Sequence, residues 1–70
     1  MEGFFVEMNE YDCLMRAWQN SQELVRDFEM YSKRVKDDEL KDVFKKFAEE
    51  EGYHATTLRD LINHYNDSQQ

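Results

Sequence analysis

Apolar residues recur every third or fourth position along almost the whole chain, and that period is interrupted once. From Leu14 the series runs through Ala17, Trp18, Ser21, Leu24, Val25, Phe28, Tyr31 and Val35. From Leu40 it resumes through Val43, Phe44, Phe47, Leu58, Leu61, Ile62 and Tyr65. This spacing places each series on one face of an α-helix and excludes the alternation of a half-buried strand. With no proline to break either stretch, the chain is expected to be all-α.

The single interruption, Val35-Lys36-Asp37-Asp38-Glu39-Leu40, sets the turn. Asp37 or Asp38 can cap a new helix, and the acids at 37–39 suit its positive end. Lys33, Arg34 and Lys36 suit the negative end of the helix before it. The sequence therefore predicts one domain over residues 1–70, an antiparallel helical hairpin with helices at about 9–36 and 38–65. Asn9 is the expected cap of the first helix, and residues 66–70 are expected to fray. Residues 1–8 contain Phe4, Phe5, Val6 and Met8, which suit a helical extension or packing on a partner subunit.

Seventy residues in two helices enclose little core, and Cys13 is the only cysteine, so no disulfide framework compensates. Association with further copies is the expected remedy, with a homo-oligomer of two or more chains. In a reducing setting Cys13 is expected to pack as a small apolar side chain. A net charge of −7 argues against nucleic acid and against an anionic membrane surface as partners. The N-terminus lacks the basic start and apolar run of a secretory signal, so a cytoplasmic location is expected. No Ser or Cys pairs with a His in a nucleophilic arrangement, and no Gly-rich loop is present to hold phosphate.

Glu51 and His54 fall in the middle of the second apolar stripe. A carboxylate and an imidazole there need partners, and three residues apart on a helix they point the same way and can grip one ion. With the turn centred near 37, position 51 is level with 23–24 and position 54 with 20–21. Leu24 and Ser21 are the stripe residues at those levels. Glu23 has the right height but points about 100° away from the face centre. Glu10 and Tyr65 are level near the far end, where they either form a buried hydrogen bond or, if that end frays, both meet water. His64 is expected in solvent, and Tyr31 in the core. Gly52 costs about 1 kcal/mol inside a helix and would admit a close neighbour beside the site.

The run Ala48-Glu49-Glu50-Glu51-Gly52-Tyr53-His54-Ala55, with Tyr31, Leu40, Phe44, Phe47 and Leu58 at their spacings, resembles the rubrerythrin-like branch of the ferritin-like superfamily. The resemblance covers about residues 28–62. It implies a four-helix bundle around a carboxylate-bridged di-iron or di-manganese centre, with Glu51 as bridge and His54 as terminal ligand. The chain departs from the family in two ways. Leu24 stands seven residues before Tyr31, where the family carries a glutamate, and Glu23 is one position off. One hairpin with one Glu-x-x-His motif is also half of a full member. Encapsulated-ferritin-like proteins, to which it shows some likeness, complete such a site across a subunit interface.

The resemblance thus implies a hairpin that completes a ferritin-like four-helix bundle by homo-oligomerisation. Its metal ligands would be Glu51, His54 and, in a lesser role, Glu23, with Fe as mononuclear or di-iron centre and Mn or Zn as alternatives. Iron oxidation or handling, or peroxide defence, is the implied activity. The competing expectation is a non-catalytic oligomerisation or interaction module in which Glu51 and His54 merely satisfy each other.

Overall fold

The computed structural model describes residues 9–69, with side chains through residue 66. Helix α1 (Glu10–Arg34) and helix α2 (Asp38–Gln69) form an antiparallel hairpin, and no strand occurs among the described residues. The expected residues 1–8 contacts lie outside the described residues.

Both helix starts follow from short polar side chains. The Asn9 carboxamide oxygen accepts from the Asp12 N–H at 2.8 Å, and Asn9 itself is extended. The Asp37 carboxylate accepts from the Leu40 N–H at 2.9 Å, so Asp37 and not Asp38 is the cap of α2. Glu10 and Asp12 open α1, and Lys33 and Arg34 close it, each complementing the dipole. α1 stops at Arg34, two residues before the expected end, because Val35 turns extended while its N–H still bonds the Tyr31 carbonyl. α2 runs past Tyr65 to Gln69, further than expected.

Three zones hold the helices together. Next to the turn, Phe28 stacks on Phe44 at 6.2 Å between centroids and meets Phe47 edge-on at 5.4 Å. Tyr31 packs edge-on to Phe44 at 5.5 Å. In the middle, Ser21 and Ala48 are buried, small side chains that let the helices approach. At the open end Ile62 is buried and Tyr11 stacks on Tyr65 at 6.2 Å.

The core is thin. No described side chain is fully buried, and Leu24, Tyr31, Leu40, Val43, Phe47 and Leu61 remain exposed. The expectation that two helices enclose little core matches this exposure, while Tyr31, expected in the core, is 40% exposed. Each helix carries a stripe wider than one neighbouring helix can cover. Ser32 is buried as well, and its hydroxyl bonds back to the Glu29 carbonyl at 2.7 Å. No described helix is long and apolar enough to cross a membrane.

Candidate functional site

At mid-hairpin, α1 presents Ser21 and α2 presents Glu51 and His54. Positions 51 and 54 lie on one side of α2, as their spacing predicts. The Ser21 hydroxyl donates to Glu51 Oε2 at 2.8 Å. Glu51 Oε1 lies 3.4 Å from His54 Nδ1. Both carboxylate oxygens therefore have a neighbour within the chain, which explains how a carboxylate tolerates this position.

The aromatic pairs across the hairpin, Phe28 with Phe44 and Phe47 and Tyr11 with Tyr65, meet within about two residues of the expected levels, but the partner of Glu51 differs. Ser21 faces Glu51, whereas the sequence placed Ser21 level with His54 and Leu24 level with Glu51. The turn falls at residues 35–37, centred one residue before the expected position. The depths of the two site residues also diverge. The Glu51 side chain is 17% exposed and floors the groove between the helices, while His54 is 66% exposed on its outer rim.

Glu23 is exposed and lies two residues from Ser21, on the far side of α1, so the structure does not bring it to Glu51. Leu24 is exposed on the same side as Phe47. Tyr31 is also half in solvent, bound into the aromatic cluster instead of lying beside Glu51. Among the described residues no three His, Cys, Asp or Glu side chains gather in a metal-holding arrangement. The described residues thus bring two candidate donors together, Glu51 and His54.

Several neighbouring expectations change. Tyr65 stacks on Tyr11, and Glu10 is exposed, so the two meet only as walls of one groove at the open end. Leu14, Ala17 and Leu61 line the same groove, with Cys13 and His64 on its rim. Cys13 is exposed and is not a packed core residue. His64 is exposed as expected. A Cβ built on Gly52 would meet nothing within 4 Å, so no close neighbour in this chain requires that glycine.

Ser21 is the residue whose role the sequence undervalued. Its signal was a hydroxyl inside an apolar stripe. The order of contacts excludes a nucleophilic relay, because Ser21 donates directly to the carboxylate and His54 sits on the carboxylate's other side. The arrangement is an anchored carboxylate beside an accessible imidazole. Comparison with family models, curated proteins and solved structures finds no match to the chain.

Proposed function

We propose that the chain binds a transition-metal ion through Glu51 and His54, with further ligands supplied by a second copy. The observation that carries this reading is the 3.4 Å separation of Glu51 Oε1 and His54 Nδ1. Two donors on one tetrahedral or octahedral ion with bonds near 2.1 Å stand roughly 3.0–3.4 Å apart. The pair therefore has the bite of a chelate. Ser21 fixes the carboxylate by its other oxygen, as an outer hydrogen bond fixes a ligand. A carboxylate with an imidazole suits Fe, Mn or Zn. In a ferritin-like four-helix bundle such a centre would support iron oxidation, iron handling or peroxide defence.

Protein purified without chelator should carry Fe, Mn or Zn at about one per two chains on this reading, and Glu51→Gln with His54→Ala should remove it. Absence of metal, together with no thermal stabilisation on adding these ions, overturns it. A second reading is favoured by the same two contacts. Ser21 donates to one Glu51 oxygen and His54 Nδ1 lies 3.4 Å from the other without any ion, as in an interaction module whose polar pair is structural. That reading predicts equal metal affinity for the native chain and the double variant.

A further inference from the structure

The hairpin is flat and has two broad faces, of which one bears the larger exposed apolar side chains. On one face, α1 shows Ala17, Leu24 and Tyr31, each seven residues from the next. On that same face α2 shows Leu40, Phe47, His54 and Leu61, again at steps of seven. The groove that joins Ala17 to Leu61, and the contacts of Tyr31 and Phe47 with Phe44, place both columns on one side. The five large apolar side chains in them are 39–47% exposed. The opposite face carries Gln22 and Arg26 from α1 with Thr56 and Arg59 from α2, around half-buried Trp18, Val25 and Ala55.

We propose that the face bearing Leu24, Tyr31, Leu40, Phe47 and Leu61 docks on the same face of a second copy, giving a two-fold dimer with one shared core. A seven-residue column is the knob pattern of helices packed at about 20°, and its complement is another helix pair with the same spacing. A second copy supplies that surface. The columns between 17 and 31 and between 40 and 61 hold no Lys, Arg, Asp or Glu. Two chains of net charge −7 can therefore meet there on uncharged columns, with the Glu51 carboxylate beside them bonded to Ser21 and next to His54. A charged partner would find nothing in the columns to pair with.

Size agrees with this occupant. Over the about 37 Å that α1 runs beside α2, the two helices, together about 20 Å wide, offer roughly 750 Å² per copy, close to the ~800 Å² per partner of a stable interface. The proposal rests on the apolar columns and not on an ion, so it stands whether or not Glu51 and His54 bind metal.

Sedimentation in chelator separates the two proposals. The metal-free native chain should run at twice its 8.6 kDa mass at high micromolar concentration. Leu24→Glu and Phe47→Glu should shift it to the mass of one chain, and Arg26→Glu on the opposite face should not. Because the first two variants can also unfold the hairpin, thiol accessibility gives an independent readout. In a Cys13→Ser background, Leu24→Cys should be alkylated at least about tenfold more slowly in the dimer than after dilution, while Gln22→Cys reacts equally in both. A native mass other than two chains, or equal protection at 22 and 24, overturns the proposal.

Discussion

Ser21 and Glu51, thirty residues apart, are joined by a 2.8 Å hydrogen bond that crosses from α1 to α2 at mid-hairpin. It fixes the register of the two helices at a level where the neighbouring side chains are small. It also fixes one Glu51 oxygen while the other lies beside His54.

Replacing Ser21 by Ala removes the hydroxyl that donates to Glu51 Oε2. The carboxylate keeps some contact with water, so the cost should sit near the low end for an orphaned group, about 1 kcal/mol. Urea unfolding of Ser21→Ala, Glu51→Ala and the double variant forms a cycle. A coupling of about 0.5–1.5 kcal/mol is expected, and additive single effects would show that the bond does not operate in solution.

The hairpin, its caps and its aromatic zone were legible because they depend on local patterns. Asn9 and Asp37 are short oxygen-bearing side chains at the two helix starts, and the three-residue spacing of Phe28 with Tyr31 and of Phe44 with Phe47 marks one face of each helix. The partner of Glu51 was not legible. Ser21 and Leu24 stand one turn apart near its level, and which of them the flexible carboxylate reaches is set by tertiary contact and not by a local rule. The depth of His54 was missed for a related reason. Helical spacing gives the direction of a side chain but not how much of a wide stripe one neighbour covers.

Asp37 satisfies the Leu40 N–H through its side chain and the Lys41 N–H through its carbonyl. Asp37→Ala should therefore cost about 1 kcal/mol, and Asp37→Asn or Asp37→Ser should recover most of it. Asp38→Ala, one position inside α2, should cost less than half as much, since it contributes only to the dipole. Chemical denaturation distinguishes them. Equal losses at 37 and 38 would mean that the cap bond contributes nothing.

Phe28 touches Tyr31, Phe44 and Phe47, and so holds the aromatic zone together. Truncation of a fully buried Phe costs roughly 3–5 kcal/mol, and Phe28 is only half-buried, so about 2 kcal/mol is expected for Phe28→Ala. Phe28→Leu should lose less than half of that. Thermal unfolding followed by circular dichroism measures both, and a Phe28→Ala loss below 0.5 kcal/mol (about the cost of a surface change) would show that the rings do not pack in solution.

If Glu51 and His54 hold an ion, its free concentration sets the stability gained. At about one hundred times the dissociation constant the gain is about 2.7 kcal/mol, on the order of 10 °C for a chain of this size. Zn(II), Mn(II) and anaerobic Fe(II) should each be titrated against unfolding temperature. Glu51→Gln and His54→Ala should flatten the response while remaining folded. An undiminished response in both variants would place the bound metal elsewhere.

Gly52 is the change that should stabilise. It sits inside α2, and a Cβ added there meets nothing within 4 Å. Ala in place of Gly restricts the unfolded chain and favours the helix, so Gly52→Ala should add about 0.5–1 kcal/mol. Its position makes the result informative beyond that magnitude. Gly52 lines the concavity with Gln22, Val25, Arg26 and Ala55, on the face opposite Leu24 and Phe47. A dimer formed through the Leu24 face leaves that concavity in solvent and the added methyl harmless. A dimer formed through the opposite face would press a second copy against position 52 and turn the gain into a loss. The sign of the change in urea midpoint, read with the mass of the variant in solution, therefore reports which face is covered.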